Sequence, residues 1–156
     1  MRVQDIMNRQ VETVSPKDTA VFANDVMWRK RIHHLIVMED TRVVGILSDR
    51  DFAGQEAQEI PEDQHVSDVM SKKLVTITPE TTIDRIINIF NEQHIHCLPV
   101  LEAGRLVGIV TTTDIDNLAN RGTSNHRYQG VNRIGHYPPL NTSRGKSSDR
   151  SGRDNL

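Results

Sequence analysis

Apolar and polar positions alternate along this chain in two distinguishable rhythms, and each rhythm occurs twice. Ile83, Ile86, Ile87 and Phe90 fall at i, i+3, i+4 and i+7, the spacing that puts four side chains on one face of an amphipathic helix. Ala20, Ala23 and Met27 occupy three of the corresponding positions, but Asn24 interrupts the stripe, which predicts a less deeply packed helix. Asp18-Thr19 and Thr81-Thr82 precede these stretches and offer side-chain oxygens to the first helical N–H groups. Short apolar runs at 11–14 and 74–77 each lead into a proline, Pro16 or Pro79, and read as strands. Beyond each helix, runs at 35–38 and 43–47, and at 98–101 and 106–110, are joined by the short links EDTR and EAGR, as expected of hairpins.

The recurrence has a fixed period. A shift of 63 residues lays 3–52 on 66–115 without a gap and leaves 16 identical positions in 50. The matched pairs include Asp5 with Asp68, Pro16 with Pro79, His33 with His96, Gly45 with Gly108 and Asp51 with Asp114. An ungapped internal repeat of this length sets the architecture. The expected unit is β-α-β-β-α. One copy is too small to cover its own sheet, so the fold class is α/β, with two units packed about a pseudo-twofold axis. The expected division is a first repeat over 1–57, an acidic linker over 58–65, a second repeat over 66–120 and a tail over 121–156.

Charge sharpens that division. Residues 1–120 hold 12 Lys+Arg against 19 Asp+Glu, and residues 121–156 hold 7 against 2. An acidic body therefore carries a basic tail. Hydrophobic residues make up 36% of the chain, low enough to suggest that part of it is unpacked. The segment NTSRGKSSDRSGRDNL is almost devoid of apolar residues and is expected to be disordered. Its Arg144, Lys146, Arg150 and Arg153 could touch nucleic acid, as could Tyr128 and Tyr137 beside Arg127 and Arg133; a solvated extension is the plainer reading. The single Cys97 excludes an internal disulfide and suits a reducing compartment. No apolar run approaches a membrane span and no secretory leader opens the sequence, so a cytoplasmic location is expected.

The motif pairs VQDIM and VSDVM, the VTI-x-P segment, the LPV strand, and the ending G-h-h-[ST]-x-x-D (h, apolar), present as GILSDRD and GIVTTTD, resemble a tandem pair of CBS (cystathionine β-synthase) domains, a Bateman module. The resemblance covers about residues 1–120. It implies an inter-repeat cleft for an adenosine ligand such as AMP, ADP, ATP or S-adenosylmethionine, a homodimer, and regulation of an effector protein rather than catalysis. In that setting Ser48 and Thr111 lie where a strand becomes a helix, a position suited to phosphate. Asp51 and Asp114 could accept hydrogen bonds from ribose hydroxyls. Thr76, Ile77, Pro99 and Val100 would wall an adenine, and Gly45 and Gly108 would admit a close ligand or neighbouring strand. Arg50 could fork onto phosphate.

Alternatives stand beside these assignments. S/T-x-x-D at a helix start is also a capping arrangement, the acid reaching back to the cap, and a ligand-free dimerisation scaffold would need no more. Repeat one departs from the pattern at Ile36 and Glu12, where repeat two has Pro99 and Val75. His33, His34, His94, His96 and Cys97 could be gathered by the pseudo-twofold around a metal, but no metal site is assigned. Cys97 sits in an apolar strand context, where thiols are inert. No nucleophile triad or P-loop is present, so the expectation is a regulatory module and not an enzyme.

Overall fold

A computed structural model describes residues 1–52 and 59–121. The tail expected to be disordered lies outside the described residues. In half one, β1 (Thr13–Val14) is followed by α1 (Ala20–Lys30) and the hairpin of β2 (His34–Glu39) and β3 (Arg42–Ser48), which runs into a 3-10 turn at Asp49–Phe52. Half two continues with α2 (Val66–Val69), α3 (Ile83–Gln93), the hairpin of β4 (Cys97–Glu102) and β5 (Arg105–Thr111), and α4 (Thr112–Asn120). The two-repeat α/β reading is what the structure has.

The caps fall where the sequence puts them. Thr19 Oγ1 accepts from the Phe22 N–H at 3.1 Å and Thr82 Oγ1 from the Arg85 N–H at 3.3 Å. Each donor is one of the N–H groups without an intrahelical acceptor. Both hairpins are antiparallel, and each carries a register shift at the equivalent place, Val37/Met38 and Val100/Leu101. Their tight links place Asp40, Ala103 and Gly104 at positive φ.

Two expectations change. The run at 74–77 does not form a regular strand; its partnership with β4 reduces to one bridge, Ile77 with Val100. The cause is Pro99. In half one the Ile36 N–H donates to the Glu12 carbonyl at 3.2 Å, whereas Pro99, at the equivalent position, has no N–H to give Val75. The acidic linker is also more than a connector. Ile60 is buried in the half-one core, and the Gln64 carbonyl accepts from the Ala20 N–H at 2.8 Å.

The halves exchange their opening segments. Val3 and Met7 are buried with Ile86, Phe90, Leu98 and Val110 of half two, while Val66 is buried with Ala23, Leu35 and Leu47 of half one. The hydrogen bonds repeat at the same period. Val3 N–H donates to Thr81 O at 2.8 Å and Val66 N–H to Asp18 O at 2.8 Å. Asn8 and Ile109 exchange a pair of backbone bonds, as do Ser71 and Ile46. Each half therefore lacks a piece of its core until the other supplies it. Gly45 and Gly108 are the residues that make room. A Cβ at Gly45 would lie 2.6 Å from Met70 Sδ, and one at Gly108 would lie 2.7 Å from Met7 Sδ.

Candidate ligand-binding cleft

Strand alternation divides the apolar residues between two layers. Leu35 and Val37, like Leu98 and Val100, point into their own cores. Ile36 and Pro99 are fully buried but belong to neither core cluster, so they lie on the opposite sheet face. Pairing places Ile36 against Ile46 and His34 against Ser48, and likewise Pro99 against Ile109 and Cys97 against Thr111. These eight residues line the two facing surfaces of the hairpins, with the strand-to-helix junctions at one end.

At the half-two junction, Asp114 Oδ2 accepts from the Thr111 N–H at 2.7 Å and from Thr111 Oγ1 at 3.1 Å. At the half-one junction, Asp51 Oδ2 accepts from the Ser48 N–H at 2.8 Å. Both aspartates therefore make the capping bond. In each case the bond engages Oδ2. Burial, the largest influence, raises the Asp51 pKa, and the Ser48 bonds oppose it. The two junctions differ in their continuation: α4 runs for nine residues, whereas the Ser48 junction opens only a 3-10 turn through Phe52.

Arg50 does not stay at its own junction. Its guanidinium donates across the cleft to His96 Nε2 at 2.7 Å, which requires the Nδ1–H tautomer of a neutral imidazole. Burial, and then the Arg50 charge, depress the His96 pKa. The His96 carbonyl in turn accepts from the Thr112 N–H at 3.0 Å. A cation from half one thus stands beside the first turn of α4. Sequence reading placed Arg50 at the half-one site and treated His96 only as a metal candidate. The histidine repeated at 33 and 96 was the available signal. His33 Nδ1 pairs instead with Asp49 Oδ2 at 2.8 Å. His34 is held down to about 4, first of all by burial; Asp49 opposes the shift, and His33, His96 and Arg50 each add to it.

The remaining predicted residues separate by layer. Ile77 and Val100 are core residues of half two, and Thr76 is exposed; of the proposed adenine wall, Pro99 has the inter-hairpin orientation. Gly108 serves the exchanged segment. Cys97 is 3% exposed and burial pushes its thiol up to about 12, with Asp114 adding to the effect. Among the described residues, no three His, Cys, Asp or Glu side chains gather in a way that could hold a metal ion, and no helix is long and apolar enough to cross a membrane.

The family model for the CBS domain matches twice, over residues 3–55 and 66–119. The chain belongs to the CBS-domain family. It is similar to the CBS domain-containing protein YhcV of Bacillus subtilis, 33% identical over 114 residues, which cover 72% of this chain and 81% of YhcV. It is equally similar to the inosine-5'-monophosphate dehydrogenase of Thermoplasma acidophilum, 33% identical over 115 residues. That match covers 73% of this chain but only 23% of the dehydrogenase. Among solved structures, the CBS-domain containing protein ATU1752 from Agrobacterium tumefaciens superposes with a TM-score of 0.69 at 30% identity, covering 76% of this chain and 99% of the other. The CBS domain pair of MJ0100, in complex with 5'-methylthioadenosine and S-adenosyl-L-methionine, gives 0.68 at 25% identity, covering 78% and 98%. Tandem CBS pairs of this kind are regulatory modules.

Proposed function

We propose that this CBS pair is a regulatory sensor of an adenine nucleotide, bound at the half-two junction and read by an effector protein, with no catalysis of its own. The observation that carries the reading is the Arg50–His96 bond, which brings a guanidinium from half one to the start of α4 beside Asp114. Phosphate suits that position, since Arg50 supplies charge-assisted donors and the first-turn amides lack intrahelical acceptors. Asp114 Oδ1 remains for ribose hydroxyls, and Pro99 and Ile109 give the base an apolar neighbour. The adenosyl ligands of MJ0100 support an adenosine-containing ligand. A homodimer acting from the cytoplasm belongs to the same proposal.

Calorimetric titration with AMP, ADP, ATP and S-adenosylmethionine tests it. Asp114→Ala should weaken the bound nucleotide by roughly ten- to hundredfold, the equivalent of about 1.5–3 kcal/mol of charge-assisted hydrogen bonding. Arg50→Gln should weaken phosphorylated ligands and spare S-adenosylmethionine. The capping bonds favour one other reading, a ligand-free scaffold. Under it, Asp114→Ala costs about 0.5–2 kcal/mol of stability and none of the four ligands gives heat with the folded wild type.

A further inference from the structure

The repeat sets a histidine at the same place in each half, and the two rings have opposite partners. His33 Nδ1 lies 2.8 Å from Asp49 Oδ2, an acid of its own half. His96 Nε2 lies 2.7 Å from Arg50 Nη1, a cation of the other half. Both partners break the internal symmetry. A shift of 63 residues sets Asp49 on Thr112 and Arg50 on Thr113, so neither charged group has a charged counterpart.

The Arg50 bond fixes the state of the His96 ring. A guanidinium only donates, so the bond needs the lone pair on Nε2 and keeps a proton off it. An imidazolium there would set donor against donor and cation against cation. Burial and the Arg50 charge both lower the His96 pKa accordingly. The bond is also one that a ligand can take apart, because Arg50 is exposed and His96 only half-buried. The imidazole has less freedom to leave. Its own carbonyl accepts from the Thr112 N–H at 3.0 Å, and Cys97 beside it is a buried residue of β4. An anion that draws Arg50 away therefore leaves Nε2 as a bare acceptor close to negative oxygens. That contact is repulsive, whereas an imidazolium offers Nε2–H as a charge-assisted donor. Loss of the guanidinium and arrival of the anion both favour the proton.

We propose that a phosphorylated ligand at the half-two junction takes Arg50 from His96, and that His96 binds one proton from solvent as it does so. The proton adds to Nε2 of the Nδ1–H tautomer, and no other bond to hydrogen is broken. This rests on the nucleotide reading above and adds to it a selecting residue, His96, and a dependence on pH. A site that gains a proton on binding holds its ligand more tightly as the pH falls, by at most about tenfold per pH unit for one proton. The other charged and titratable groups about the ring are His34 of β2, with His33 and Asp49 near it, and Asp114 of α4, close enough to act on the Cys97 thiol. His34, held down to about 4, is neutral near neutral pH, and substitution separates out His33.

Calorimetric titration of the full chain with AMP, ADP and ATP, repeated in buffers of different ionisation enthalpy, reads the proton directly. Uptake should be about half a proton or more per ligand at pH 7, and affinity should rise by about threefold or more from pH 8 to pH 6.5. His96→Gln keeps an acceptor for Arg50 and a donor for phosphate but does not titrate. It should bind within about threefold of the wild type at pH 8 and lose the uptake. His33→Gln should retain it. Titration of the ligand's own phosphate is common to all variants and cancels in the comparison. Without ligand, NMR titration of His96 should move to higher pH in Arg50→Gln. Binding with no proton uptake, or with equal uptake in His96→Gln, would overturn the proposal and leave the nucleotide reading in place. So would a His96 titration that Arg50→Gln does not move. Failure of all three phosphorylated ligands to bind would overturn both.

Discussion

The exchange of opening segments predicts an unusually costly methyl group. In Gly108→Ala the new Cβ would meet Met7 Sδ at 2.7 Å, Met7 Cγ at 3.0 Å and the Asn8 carbonyl oxygen at 3.2 Å. The thioether can rotate away, but Met7 is a buried member of the half-two core and has little empty space to enter. The Asn8 oxygen is less free. It accepts from the Ile109 N–H at 3.0 Å, while Ile109 O accepts from the Asn8 N–H at 2.9 Å, so displacing it strains both bonds of the bridge. Overpacking of this kind costs about 1–3 kcal/mol. For a body of this size that is a fall of roughly 3–12 °C in Tm. The assay is urea and thermal unfolding of Gly108→Ala, Met7→Ala and the double variant. Removing the Met7 side chain takes away the nearer obstacle, so the two substitutions should couple by about 0.5 kcal/mol or more. Unchanged stability in Gly108→Ala, or strict additivity with Met7→Ala, would refute the contact and the exchange it implies.

Two further outcomes follow from burial. His34 titrates near 6.5 when unfolded and about 4 when folded, so the unfolded chain binds the extra proton between those values. Its contribution is complete above pH 6.5 and is lost as the pH falls toward 4, by on the order of 3 kcal/mol; Asp49, His33, His96 and Arg50 are the charged and titratable groups around it. Urea midpoints in His34→Gln should lose that part of the pH dependence, and an identical slope in variant and wild type would contradict it. Cys97, buried with its thiol near 12, should react with a disulfide reagent at pH 8 only after denaturant is added. Rapid labelling of the folded chain would show that β4 opens readily.

Much of the architecture is legible because local rules and the repeat agree. The stripe of Ile83, Ile86, Ile87 and Phe90 is the inner face of α3, and both threonine caps sit at the expected residues. Asn24 marks the shallower helix correctly: it is half-buried, whereas its equivalent Ile87 is in the core. The exchange of opening segments was invisible for a physical reason. Under a shift of 63 residues the apolar pattern of VQDIM and VSDVM is the same whichever half receives each segment. Periodicity therefore cannot separate a segment packed on its own half from one packed on the other. The crossing of Arg50 was hidden likewise, since a side chain's reach across a cleft depends on how the hairpins face each other. The loss of the strand at 74–77 was within reach, because Pro99 stands in the sequence and proline cannot complete the ladder.

The exchange also limits what a ligand at the cleft can do. Each half completes the other's core through buried Val3, Met7 and Val66 and through paired backbone bonds. Burying such a side chain contributes about 1.5–3 kcal/mol, so a nucleotide cannot separate the halves without forfeiting several of these. The Arg50–His96 bond is the softer connection. Arg50 is exposed, and in water a pair of this kind contributes about 1 kcal/mol or less. Under the proposed reading, a phosphate that takes Arg50 from His96 can bias the arrangement of the halves only by that amount, about fivefold in an equilibrium constant. A sharper response has to come from outside one pair of repeats, by coupling several copies or by engaging a surface whose occupancy the small shift alters.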